Sequence, residues 1–100
     1  MKKFNINEYV FIKLTEKGAQ VLANDHNKWV GKMLGNRNMD YYLSNRDENG
    51  FYKMQFWCFI NNFGELMQAG AGGYFEDNNI YFKEADLKTT VQVSVASKVQ

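Results

Sequence analysis

Residues 9–14, Tyr9-Val10-Phe11-Ile12-Lys13-Leu14, are β-branched, aromatic or alternating in polarity. Period two, with β-branched and aromatic side chains, suits a half-buried strand, expected over residues 6–14. Thr15 follows as a helix N-cap, and Glu16 occupies the first turn, where the helix dipole favours negative charge. The period then changes. Ala19, Leu22, Ala23, His26, Trp29, Val30, Met33 and Leu34 fall within about 140° of arc on a helical wheel. Gln20, Asn24, Asn27, Lys28 and Lys32 lie opposite. Asn24-Asp25 is a potential break, but the apolar phase continues across it. The spacing therefore predicts one helix from Glu16 to near Gly35.

Residues 35–50 are polar, with Met39, Tyr41, Tyr42 and Leu43 embedded. Asp47-Glu48-Asn49-Gly50 is a turn signal, and Asn-Gly tolerates the positive φ of a tight hairpin. A hairpin of 39–45 with 51–55 is expected on that basis. The next segment carries two periods. As a strand, Tyr52, Met54, Phe56, Cys58 and Ile60 alternate. As a helix, Phe56, Phe59, Ile60, Phe63, Leu66 and Met67 form a stripe opposite Asn61, Asn62, Glu65 and Gln68. The helix accounts for more of the segment and is the preferred reading. Gly70, Gly72 and Gly73 end it. Residues 79–83, with Ile80 and Phe82 on one face, and residues 89–95, with Val91, Val93 and Val95 alternating, read as further strands. The expected fold class is α+β: two amphipathic helices packed on a small, mostly antiparallel sheet of three to four strands.

Length narrows the picture to one domain, residues 1–100, with a single core. The net charge is +1, which argues against a strongly basic nucleic-acid binder. It is unevenly spread: residues 1–38 hold seven basic and three acidic side chains, residues 39–100 five and eight. One basic and one acidic face are compatible with that split. Cys58 is the only cysteine, which excludes an internal disulfide and a multi-cysteine zinc site. No signal-peptide core opens the chain, and no apolar run approaches the roughly 20 residues of a membrane span. A cytoplasmic location is expected. Proline is absent, asparagine is abundant and lysine outnumbers arginine ten to two, as in A/T-rich phage genes.

Little of the chain reads as catalytic machinery. His26 falls in the helical apolar stripe, where a hydrogen-bonded structural role fits better than a general base or metal ligand. Cys58 needs a base and a positive environment to act as a nucleophile, and only His26 is a candidate. Ala69-Gly70-Ala71-Gly72-Gly73 follows a helix and lacks the Gly-Lys-Ser/Thr ending of a phosphate loop. Glu76, Asp77, Glu84 and Asp86 lack the order of a calcium loop. Leu14-Thr15-Glu16-Lys17-Gly18 also resembles the strand-to-helix exit of a winged-helix wing, a reading disfavoured because only about eight residues precede this strand, too few for the upstream recognition helix. The expectation is a protein without enzymatic activity, cofactor or metal.

The aromatics outside the helical stripes are the stronger signal. Tyr41 and Tyr42 lie in a polar segment flanked by Arg37 and Arg46, and Trp57 sits off the stripe of the second helix. Either the polar loop folds over that helix and buries these groups, or Arg37, Tyr41, Tyr42, Arg46 and Trp57 form a partner-binding patch, since Tyr, Arg and Trp dominate protein-binding hot spots.

Asn5-Ile6-Asn7-Glu8-Tyr9-Val10, then Leu14-Thr15-Glu16-Lys17-Gly18, resembles the opening of a group of small uncharacterised phage- and prophage-encoded accessory proteins. Asp47-Glu48-Asn49-Gly50, Gln55-Phe56-Trp57, Phe63-Gly64, Phe75-Glu76 and Ile80 extend the resemblance over about residues 4–83. It favours the helical reading of 55–68, and departs at the glycine-rich segment and beyond Glu84. It implies host takeover or anti-defence, anti-CRISPR proteins being one such class. The expected function is stoichiometric binding, as an inhibitor, to a host protein or ribonucleoprotein complex in the bacterial cytoplasm. The alternative is a small nucleic-acid-binding module, with Tyr41 and Tyr42 as stacking platforms beside the basic N-terminal third. Oligomeric state is left open.

Overall fold

The computed structural model describes residues 1–68 and 72–89. The fold is α+β. A two-residue strand β1 (Lys2–Lys3) precedes β2 (Tyr9–Lys13), in which Val10 and Ile12 are buried and their neighbours face outward, as the alternation predicts. Leu14 continues that buried row. Thr15 then caps α1 (Glu16–Trp29), accepting a hydrogen bond from the Gly18 amide at 3.2 Å. Burying Gly18, Ala19, Leu22 and Ala23 sets the inner face of α1.

The helix does not run unbroken to Gly35. Val30 leaves helical geometry at φ −129°, ψ −2°, and a separate short turn, α2 (Gly31–Leu34), follows. The reason lies in the next loop. Gly31 is buried directly beneath the Asn36 side chain, and Asn27 binds the backbone of Arg37. Folding the loop back onto α1 displaces the last part of the apolar stripe, so Trp29, Met33 and Leu34 are 72, 84 and 72% exposed.

The expected hairpin of 39–45 with 51–55 is not formed. Met39 begins α3 (Met39–Ser44), capped by the Asn38 side chain, which accepts from the Tyr41 amide at 3.2 Å. Its helical spacing turns Tyr42 into the core, where α3 packs on α1. The Asp47–Gly50 turn is present, but it joins a helix to a strand. Asp47 Oδ1 accepts from the Asn49 and Phe51 amides at 2.8 and 2.9 Å, and Gly50 takes φ +88°. The strand it launches, β3 (Phe51–Gln55), pairs antiparallel with β2, from Tyr9↔Gln55 to Lys13↔Phe51.

Both periods read in residues 51–68 are real, each over part of the segment. The strand ends at Gln55 and α4 (Phe56–Phe63) starts at the next residue. A 3₁₀ turn, Gly64–Leu66, follows, so Leu66 and Met67 leave the helical stripe. Phe59 and Phe63 are fully buried. Their rings meet Phe75 at 5.4 and 5.9 Å between centroids, and this aromatic cluster closes the core over Val10, Ile12 and Leu14.

β2 is the central strand. One edge carries β3. On the other, the Phe11 amide and carbonyl exchange hydrogen bonds with Tyr81 at 2.7 and 2.8 Å, and Leu14 bridges Phe75. Residues 79–83 thus touch β2 at one bridge and do not form the continuous strand expected of them. β1 pairs antiparallel with β4 (Lys88–Thr89). The described residues therefore hold four α-helices and two two-stranded ladders. The strand expected over 89–95 lies, after Thr89, outside the described residues, as do residues 69–71 of the glycine-rich segment. Among the described residues no helix is long and apolar enough to cross a membrane.

Candidate functional site

The loop after α2 is held by side chains from α1. Asn27 donates to the Arg37 carbonyl at 2.8 Å and accepts from the Arg37 amide at 2.7 Å, using both ends of its carboxamide. His26 Nε2 lies 2.9 Å from the Gly35 carbonyl oxygen. A carbonyl only accepts, so this nitrogen carries a proton. His26 is thus half-buried and tied to the loop, the structural role its place in the stripe predicts.

That loop presents Arg37 to α3. The guanidinium carbon stands 4.3 Å from the centre of the Tyr41 ring and 6.0 Å from that of Tyr42. Its Nη1 donates to the Tyr42 hydroxyl at 3.4 Å. Tyr41 meets Tyr42 edge to face at 5.0 Å, and Tyr42 meets Tyr52 of β3 at 5.9 Å. A cation over an aromatic face is held by the ring quadrupole, and planar Arg suits this arrangement better than Lys. Donating this hydrogen bond to Tyr42 pushes the Arg37 pKa further up. Burial, with Tyr42 and Tyr41 adding to it, pushes the Tyr52 phenol up, so this ring keeps its proton. Tyr42 is buried and anchors the group, while Tyr41 is 43% exposed. One cation and one accessible ring therefore face outward from a packed base.

Tyr42 and Tyr52 also wall an open cleft of about 420 Å³, whose other sides come from His26, Trp29, Cys58 and Asn62. At its mouth Lys53 stands 4.3 Å from the Tyr9 ring centre. A second depression of about 400 Å³ continues between α1 and α4, sharing Asp25, Trp29, Asn61 and Asn62. Asn62 donates to Asp25 at 2.9 Å across the divide. Burial pushes the Cys58 thiol up, which disfavours the thiolate a nucleophile needs. Among the described residues, no three His, Cys, Asp or Glu side chains gather as a metal site. Glu76 instead meets Lys13 at 3.9 Å.

Of the five residues expected to form a binding patch, the fold brings Arg37, Tyr41 and Tyr42 together. Arg46 does another job. Its guanidinium donates to the Leu43 and Leu14 carbonyls at 3.0 and 3.1 Å, tying the end of α3 to the end of β2. Trp57 stands apart. Its indole donates to Gln55 at 3.2 Å, and its amide bonds Ile6 at 3.0 Å beside the N-terminal segment. It is 47% exposed, and its partners Gln55 and Ile6 are not those of Arg37, Tyr41 and Tyr42. Tyr52 was not among the residues singled out from the sequence. Its partner Tyr42 reaches it from a helix, α3, so a contact between the two rings follows from packing of α3 on β3 and has no signal in local spacing.

Comparison with protein-family models, curated proteins and solved structures yields no match for this chain.

Proposed function

We propose that this chain is a non-enzymatic accessory protein of the phage type. It acts in the bacterial cytoplasm by stoichiometric binding to a host protein or ribonucleoprotein complex, as an anti-defence, anti-CRISPR-like inhibitor. The observation that carries the binding reading is the Arg37–Tyr41–Tyr42–Tyr52 group. A guanidinium is held 4.3 Å from an exposed ring on a buried aromatic base, an arrangement already ordered before any partner arrives. Such preorganised Arg and Tyr side chains lose little entropy on binding, which is why they recur as hot spots. A protonated Cys58 and a loop-bound His26 favour recognition over bond chemistry. The phage and anti-defence part of the reading rests on the sequence resemblance.

The test is expression in bacteria that defend themselves with a nuclease, challenged by phage. Wild type restores plaque formation and is recovered with a stoichiometric host partner. Arg37→Ala with Tyr41→Ala loses both effects while keeping its circular dichroism spectrum. Recovery of no stoichiometric partner, together with unchanged defence, contradicts the proposal.

A second reading, binding of single-stranded nucleic acid, draws on the same exposed Tyr41 ring and on Lys28 beside Trp29 at 5.1 Å. Phosphate contacts dominate such binding at low salt. Absence of oligonucleotide binding at low ionic strength removes it.

A further inference from the structure

Trp29, Met33 and Leu34 place three large apolar side chains within six consecutive residues, each more than 70% exposed. A cluster of this kind marks an interaction surface. Two features beside it say what covers it. The depression between α1 and α4, about 400 Å³, is lined by Val21, Leu66 and Trp29, and its charged lining is Asp25 and Glu65 against Lys28, one negative charge in excess. The apolar projection itself carries a basic residue, since Lys32 lies between Trp29 and Met33 and no acidic residue occurs from His26 to Met39. Among the described residues the only ion pair is Lys13–Glu76, so among those residues neither Lys32 nor Glu65 has an ion-pair partner.

We propose that two copies of this chain associate about a twofold axis, each seating Met33 and Leu34 of α2 in the other's α1/α4 depression. Lys32 of each copy then faces Glu65 of the other. A twofold interface needs a patch that is its own complement. Trp29 supplies that continuity, because it forms a wall of the depression and leads through Val30 directly into α2. Projection and hole thus lie side by side on one surface. The proposal is independent of the host-binding reading, which uses Arg37 and Tyr41.

The experiment is sedimentation equilibrium of the full chain across the micromolar range. The expected mass rises from 11.7 kDa towards twice that value. Met33→Ser with Leu34→Ser, both at exposed positions, stays at the monomer mass. Lys32→Glu and Glu65→Lys each place two like-charged pairs in the dimer, weakening it about tenfold or more. Mixing those two variants restores association, because both contacts then join opposite charges. Arg37→Ala with Tyr41→Ala dimerises as wild type does. A monomer at every concentration, a dimer indifferent to Met33 and Leu34, or a mixture no tighter than its components overturns the proposal.

Discussion

The Cα of Gly18 lies directly under the carbonyl oxygen of Tyr74, so close that a Cβ at position 18 would overlap that oxygen. The segment 72–75 crosses the start of α1 here, held by three further contacts. The Thr15 hydroxyl donates to the Gly73 carbonyl, the Thr15 amide to Tyr74 at 3.3 Å, and Lys17 to the Gly72 carbonyl at 3.0 Å. The Lys17 ammonium also stands 4.5 Å from the Tyr74 ring centre. This crossing delivers Phe75 to the Phe59 and Phe63 rings.

Gly18→Ala therefore destabilises the fold. Alanine is the better helix former by about 1 kcal/mol, but overlap with a backbone atom cannot be relieved by a side-chain rotation. A net loss of about 2 kcal/mol is expected, within the range for overpacking. Urea denaturation of the variant measures it, and equal or greater stability than wild type contradicts the crossing.

Asn27 is the hinge pin of the candidate site. Asn27→Ala removes both hydrogen bonds to the Arg37 backbone and costs about 1–3 kcal/mol. The loop that aims Arg37 is then free, so partner binding falls further than stability does. Comparing the denaturation midpoint with binding of the same variant checks this. A variant that loses stability yet binds as wild type shows that the loop's aim is irrelevant.

Tyr52 gives the fold a dependence on alkaline pH. Its folded pKa lies above the ordinary value of 10.0 because burial disfavours the charged form. Below pH 10 the phenol is neutral in both states, and this contribution is fully present. As pH rises past 10 the unfolded chain ionises first, so stability falls until the folded value is passed. Tyr52→Phe removes that portion of the loss. Denaturation midpoints of wild type and variant on either side of pH 10 test it, and parallel declines would contradict a half-buried Tyr52.

Much of the N-terminal half was legible because local and tertiary preferences agree there. Alternation over 9–14 and the Thr15 cap mark β2 and the start of α1, and the fold uses both. Residues 51–68 carried two periods because the chain changes element between Gln55 and Phe56, with no glycine or proline to mark the change. The α3 segment misled for a different reason. Its six residues are too few to display a helical stripe, and two adjacent tyrosines read equally well as strand. Only Asn38, as an N-cap, signalled a helix. The outer end of the α1 stripe lost its core position to a loop contact, Asn36 over Gly31, that periodicity does not encode. The same contacts explain the site. Arg37, Tyr41 and Tyr42 are close in sequence and stay close in the fold, whereas joining them to Trp57 required a long-range arrangement that the fold does not adopt.

The central claim is that this surface binds a partner through Arg37 and Tyr41. The most direct measurement is affinity capture from host lysate with immobilised wild type beside an Arg37→Ala, Tyr41→Ala variant of matched thermal stability. The account predicts one host component retained in near-equal molar amount by wild type and lost from the variant. Equal retention by both proteins, or no stoichiometric component on either, would contradict it.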